Sequence, residues 1–259
     1  MGITTAFTML EYNAVGIKAA QAALHFQGDQ SIRVLIALKK MNDTYVEKTG
    51  KPYDCISVHE LDYKTLQLLE PFLKNTYGYR MLFGDPLYWQ LLKNKNLYKC
   101  LTVVFLRDTI PYAQTSANYF STVLRYCWIQ IPVRELSITI RTSHIPCVDD
   151  TRAQHINKQL NRKRNMLQAE ISFQKEFRNQ LAISSGDFNG SAEDECYYQE
   201  LYKEFVFKDL INEPTFGDKH LDHVYISDFS HSDLRIKAKV LDAQYMQTTD
   251  HKMIEICIC

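Results

Sequence analysis

Ile183-Ser184-Ser185-Gly186-Asp187-Phe188-Asn189-Gly190 ends an apolar run abruptly in small residues, then delivers an acid and an amide two positions apart, with glycines on either side. Residues two apart in an extended chain point the same way. Asp187 and Asn189 are therefore expected to face one site where a strand stops. Glycine admits backbone angles closed to other residues and leaves room for a close approach. Asx-Gly pairs also make ordinary turns, so the stretch gains meaning only if other segments agree with it.

Several do, because acids, amides and imidazoles recur wherever an apolar segment ends. Tyr12-Asn13 closes the run from Ile3 to Val15, and His59-Glu60 closes Asp54-Cys55-Ile56-Ser57-Val58. Ser143-His144-Ile145-Pro146 follows Leu136 to Arg141, whose Leu136, Ile138 and Ile140 alternate like a half-buried strand. Asp222 opens a strand over Val224 to Ser227, and Thr249-Asp250-His251 precedes the last strand, Met253 to Cys257.

Around these, helical spacing or capping predicts helices over Lys18–Phe26, Ser31–Lys48, Asp62–Leu73, Asp149–Gln180 and Glu193–Phe205, with Pro71 expected to break the third early. Further strands are expected at Tyr79–Phe83, Leu101–Leu106, Val123–Ile131 and Leu234–Val240. Strands and helices interleave without a linker or repeat, which predicts one α/β domain over residues 1–259. Antiparallel neighbours in the middle argue for mixed rather than purely parallel sheets.

Composition narrows the function classes. Hydrophobic residues make up 46% of the chain, enough for a sizeable core. Lys+Arg and Asp+Glu balance at 30 each, so any basic patch that grips nucleic acid or anionic lipid must be local. No apolar run approaches the roughly 20 residues that span a bilayer, and Met1 to Ala6 lacks the character of a secretory signal. Seven cysteines without a CxxC pair argue against a disulfide framework and a structural zinc site, and favour an intracellular, reducing home. Nothing in the chain marks a specific protein partner.

A site with several carboxylates, amides and imidazoles, and no nucleophilic Ser or Cys in a recognisable setting, suits a hard divalent ion and phosphoester hydrolysis. In their order the motifs resemble those of the endonuclease/exonuclease/phosphatase superfamily. The likeness lies in Tyr12-Asn13, Asp54 through Glu60, Ser143-His144-Ile145-Pro146 with Arg152 downstream, Gly186-Asp187-Phe188-Asn189, Leu221-Asp222-His223-Val224-Tyr225 and Thr249-Asp250-His251. It implies a four-layer α/β sandwich, two mixed β-sheets face to face with helices outside, and catalytic groups at one end.

By the same resemblance Glu60 is the principal ligand of a Mg²⁺ (or Mn²⁺) ion, with Asn13 and Asp250 completing or supporting the metal site. Asp187 orients or deprotonates the attacking water, and Asn189 holds that water or a phosphate oxygen. His251 contacts the scissile phosphate with Asp222 fixing its tautomer, and His144 assists the phosphate or leaving group. Two departures bear on this. His59 stands where the superfamily usually has glutamine, and Cys100 where a glutamate would pair with His144.

The implied activity is a nuclease on DNA or RNA. A phosphatase on inositol phosphates or phosphoinositides and a non-catalytic binding protein on the same fold are the alternatives. Tyr98 and Lys99, with Lys93, Lys95, Tyr88 and Trp89, mix cations with stacking rings as a polynucleotide strand requires. The basic run Lys158 to Arg164 reads as a solvated helix face. His220, His223 and His231 have no assigned role and read as surface or supporting residues.

Overall fold

Alternation along each strand sorts its side chains onto two faces. In β1 (Phe7–Asn13), Leu10 and Tyr12 enter one apolar cluster and Phe7 and Met9 another. In β2 (Cys55–Leu61), Ile56 and Val58 go with the first cluster and Cys55 with the second. The first cluster also takes in Val34, Leu38 and Met41 of α1 (Gln30–Thr49) and Leu66, Leu69 and Leu73 of α2 (Tyr63–Tyr77). These observations come from a computed structural model that describes residues 7–14, 30–84, 101–114, 125–147, 153–177, 179–190, 207–227, 234–241, 249 and 251–259.

The second cluster lies between two sheets. It joins Phe7, Met9, Cys55, Val104 and Leu106 to Ile129, Ile138, Ile140, Ile183 and Val224. One sheet has six strands in the order β10-β11-β1-β2-β4-β3, and the other has five in the order β5-β6-β7-β9-β8. The remaining strands are β3 (Tyr79–Leu82), β4 (Leu101–Arg107), β5 (Tyr126–Val133), β6 (Leu136–His144), β7 (Ala182–Asp187), β8 (Phe207–Asp209), β9 (Asp222–Ser227), β10 (Ile236–Val240) and β11 (Ile254–Ile258). Pairs β1/β2 and β6/β7 are parallel and their neighbours antiparallel, so both sheets are mixed. A third cluster packs Met166, Leu167, Phe173 and Phe177 of α3 (Ala153–Phe177) on the outer face of the five-stranded sheet, against Trp128, Ala182 and Tyr225. Helix, sheet, sheet, helix is the four-layer α/β sandwich.

Three expectations need correcting. Pro71 does not end α2, which runs to Tyr77 and stops at Gly78, a left-handed residue whose N–H reaches the Leu73 and Lys74 carbonyls. The proline sits on the exposed face, where the carbonyl it leaves unpaired can be hydrated. The strand expected to end with the apolar run at Ile183 continues through Ser184, Ser185 and Gly186 to Asp187. Finally, β8 was not anticipated. The helices expected at 18–26 and 193–205 lie outside the described residues. Among the described residues, no helix is long and apolar enough to cross a membrane.

Candidate active site

Register brings the polar strand ends together. In the five-stranded sheet His144 is paired with Asp187, and Asp187 with Asp222, so one cross-strand row carries an imidazole and two carboxylates. Asn13 at the end of β1 is paired with His59, and Glu60 follows. The two rows face each other: the Asn13 Nδ2 donates to Asp187 Oδ2 at 2.9 Å and lies 3.5 Å from Glu60 Oε1. His144 Nε2 is 3.4 Å from Glu60 Oε1 and 3.7 Å from Asp187 Oδ2. His251 reaches the same spot from before β11, tied by a bridge to Phe216, with Nε2 4.0 Å from Asp187 Oδ2.

Glu60 arrives there by a break in alternation. Opposite β4 the register shifts between Val58 and Leu61, so β2 carries one extra residue, and both Val58 and Leu61 face the helices. Such a bulge re-aims a side chain. Glu60 sits at φ +57°, the left-handed region that is costly for a residue with a Cβ and that the bulge imposes here. Its side chain stays 20% exposed, the most open carboxylate of the cluster. It does not cap α2, since that task falls to Asp62, whose carboxylate accepts the Thr65 N–H.

The loop after β7 also departs from expectation. Asn189 adopts φ +51°, so the acid and amide meet through a turn rather than strand alternation: the Asn189 N–H donates to Asp187 Oδ1 at 2.8 Å. Its side-chain amide donates to the Ile145 carbonyl at 2.8 Å, and Lys163 Nζ donates to its backbone carbonyl at 3.1 Å. Lys163 therefore turns inward, while Lys158, Arg162 and Arg164 lie exposed as the reading of that run predicts.

Protonation follows from partners. Arg125 can only donate, and it points at His144 Nδ1 from 3.0 Å. The ring's proton is thereby placed on Nε2, toward Glu60 and Asp187. Burial and then the Arg125 charge hold His144 well below the usual imidazole range, so it is neutral. An arginine thus stands behind His144, whereas Cys100 lies outside the described residues. His251 Nδ1 meets Asp222 Oδ2 at 2.8 Å, which fixes that ring. Burial opposes the ionised Asp222, but His251 and the Thr215 hydroxyl outweigh it and its carboxyl lies below the usual range. Burial and the nearby Asp222 and Glu60 charges push Asp187 up to about 7, against the pull of His251 and the Asn189 N–H.

Two residues further down β1, β6 and β7, on the same face, lies a second polar tier. Glu11, Ser57, His59, Thr102, Thr142 and Ser185 are all buried between the sheets. His59 Nε2 is 3.0 Å from Glu11 Oε2, its Nδ1 is 3.2 Å from Thr102 Oγ1, and the Ser185 hydroxyl donates to Glu11. The histidine in the glutamine position thus supports the floor beneath Glu60 and Asp187. Neither it nor Glu11 was assigned that role from sequence, although a charge inside the apolar run of β1 was the available signal.

Of the residues singled out from sequence, Asn13, Glu60, His144, Asp187, Asn189, Asp222 and His251 come together here. Asp250, Arg152, Tyr98 and Lys99 lie outside the described residues. His223, read as surface or supporting, is 2% exposed.

No family model and no curated protein sequence matches the chain. Solved structures do. A humanized D. rerio TDP2 carrying 14 mutations aligns over 98% of both chains at 14% identity with a TM-score of 0.64. D. rerio TDP2 complexed with a single-strand DNA product aligns over 98% of both chains at 13% identity and a TM-score of 0.60. An endonuclease/exonuclease/phosphatase from Bacteroides vulgatus gives 13% identity, 98% coverage of both chains and a TM-score of 0.60. The chain has the fold of the endonuclease/exonuclease/phosphatase superfamily.

Proposed function

We propose that the chain is a divalent-metal-dependent phosphodiesterase that hydrolyses a nucleic-acid backbone. The observation that carries this reading is the meeting of Glu60, Asp187, Asp222, His144 and His251 from the ends of both sheets, with Asp187 held near neutrality. The donor set fits a hard dication: Glu60 and Asp187 carboxylates and the Asn13 amide offer oxygens. The repulsion that raises Asp187 is the field a bound cation relieves. Glu60 and Asn13, with Asp250 on the strength of chain order, would hold Mg²⁺ or Mn²⁺, which when bound supplies neutralising charge to a phosphate oxygen.

The chain's own groups do the rest. Asp187, oriented by the Asn13 amide and the Asn189 N–H, accepts a proton from the attacking water. Asn189, its amide N–H₂ anchored on Ile145, presents its carbonyl oxygen to that water. His251, oriented through Nδ1 by ionised Asp222, contacts the scissile phosphate through Nε2. Neutral His144 gives its Nε2–H to a phosphate or leaving-group oxygen. Preorganised donors of this kind stabilise charge as it develops. The structural likeness to a TDP2 that holds a single-strand DNA product supports a polynucleotide substrate, with Tyr98, Lys99 and Arg152 as candidate contacts.

The test is hydrolysis of plasmid, single-stranded DNA, RNA and a soluble inositol polyphosphate with Mg²⁺, Mn²⁺ or EDTA. Metal-dependent cleavage of a polynucleotide is expected. Glu60→Ala and His251→Ala should each lower turnover by roughly 10²–10⁴-fold while the protein stays folded at the assay temperature. Inertness toward every substrate with metal present overturns the reading, and phosphate release from the inositol compound alone replaces the substrate class.

A further inference from the structure

On the flank of the five-stranded sheet, Asp209 at the end of β8 and His223 in β9 stand close together, with His220 from the loop before β9 beside them. His223 Nδ1 is 2.6 Å from Asp209 Oδ2, while its Nε2 is 3.1 Å from the Gly190 carbonyl. Both ring nitrogens therefore face oxygen acceptors. With Nε2–H serving Gly190, Nδ1 meets the Asp209 carboxylate through a second proton or through a metal ion that replaces it. A third donor converges on the same point: His220 Nε2 lies 3.8 Å from that Oδ2. One ligand atom from each of the three residues falls within 4.8 Å of the others.

We propose that Asp209, His220 and His223 form a binding site for a divalent transition-metal ion of the zinc class, separate from the oxygen-rich centre at Glu60. Two imidazoles and a carboxylate suit zinc rather than Mg²⁺. The surroundings are those of metal ligands. Metal-bound histidine commonly donates its other ring N–H to a backbone carbonyl, as His223 does to Gly190. Asp209 is oriented through Oδ1 by the Ile211 and Val224 N–H groups at 3.0 and 3.3 Å. The His223 ring is boxed by Phe188 at its edge and Tyr225 stacked at 5.2 Å. Asp209 and His220 are 25% and 27% exposed, which admits an ion and leaves a coordination position for water.

The absence of CxxC spacing excludes only thiolate zinc sites and does not touch this donor set. Binding the ion displaces the proton from between Nδ1 and Oδ2. It ties β8 and β9 to the loop after β7, because His223 follows Asp222 in sequence and its other nitrogen holds Gly190, next to Asn189. The site is therefore a clamp on the strand that orients His251.

Zn²⁺ titration of the full chain in excess Mg²⁺, with thermal melts and Co²⁺ visible absorption, tests the proposal. Expected are one tight Zn²⁺ equivalent, a raised melting temperature and the intense absorption of four-coordinate Co²⁺, all retained in Glu60→Gln. His220→Ala and Asp209→Asn should each weaken Zn²⁺ binding at least tenfold and remove the thermal shift. The asparagine keeps an oxygen for Ile211 and Val224, so it separates ligation from folding. Zn²⁺ binding unaltered in His220→Ala and Asp209→Asn, or lost in Glu60→Gln, overturns the proposal. So does failure of the native chain to bind Zn²⁺, which leaves a protonated His223–Asp209 pair as the whole content of the cluster.

Discussion

Asp187→Asn should stabilise the metal-free protein, and by an amount that grows with pH. Asp187 titrates near 7 in the folded chain against an ordinary value of 3.8. The folded state therefore binds this proton more tightly than the unfolded state. Stability is highest below the unfolded value, falls as pH rises from about 4 through about 7, and levels off above. At about 1.4 kcal/mol per pH unit, that displacement sets a ceiling of about 4 kcal/mol. Asparagine never ionises and keeps an oxygen for the Asn189 N–H, but its amide meets the Asn13 Nδ2 that now donates to Asp187. One lost hydrogen bond costs about 1 kcal/mol at every pH. The variant should thus be slightly less stable than the native chain at pH 4 and about 1–3 kcal/mol more stable at pH 8. Asp222, held below its usual range, is ionised throughout this window and contributes no slope. Urea denaturation in EDTA at three pH values measures the difference directly. A difference that does not change with pH would refute the electrostatic account of the site. Adding Mg²⁺ at pH 8 should stabilise the native chain far more than the variant, because a bound cation answers the charge that the asparagine has already removed.

The polar floor makes two further predictions. His59→Ala leaves Glu11 buried at 4% exposure without its imidazole partner, which should cost about 3–5 kcal/mol in urea denaturation, whereas His59→Gln, whose amide can still donate to Glu11, should lose much less; equal losses would show that packing alone is at stake. Gly186→Ala should fail to give stable folded protein, since a Cβ there would lie 2.1 Å from the Ser143 carbonyl and 3.0 Å from the His59 ring, at φ +126°; a native-like melt would show that β6 and β7 separate more easily than their register suggests.

Much of the centre was legible because each catalytic candidate ends or begins a strand, and strand ends announce themselves when apolar alternation meets an acid, an amide or a histidine. Asn13, His144, Asp222 and His251 are of this kind. What could not be read was the departure from period two. Regular alternation from Val58 would send Glu60 to the helix side and Leu61 between the sheets, and the bulge reverses both. No residue type at 59 or 60 advertises a positive φ, because glycine, the residue that would, is absent. Lys163 was hidden for the opposite reason: its neighbours Arg162 and Arg164 are exposed as a solvated helix face should be, and only position on the helix singles it out. Arg125 lies one residue before β5 and meets His144 through pairing with β6, which no local pattern encodes.

The small residues before Asp187 acquire a physical reason in the same frame. Ile183 faces between the sheets and Ala182 faces α3, so alternation sends Ser185 inward and Ser184 outward. Each finds a buried carboxylate: Ser185 donates to Glu11 of the facing sheet, and Ser184 to Glu170 of α3, which also accepts Arg141 Nε at 2.7 Å. A larger apolar side chain at either position would leave a carboxylate short of a donor in the interior, where an unsatisfied charge is costly. Gly186 then clears the space that the His59 ring occupies. The stretch thus resembles a turn in composition because a strand that runs between two buried acids, and under an imidazole, has room only for hydroxyls and hydrogen. Its composition was set by the tier beneath the site and not by the loop that follows it.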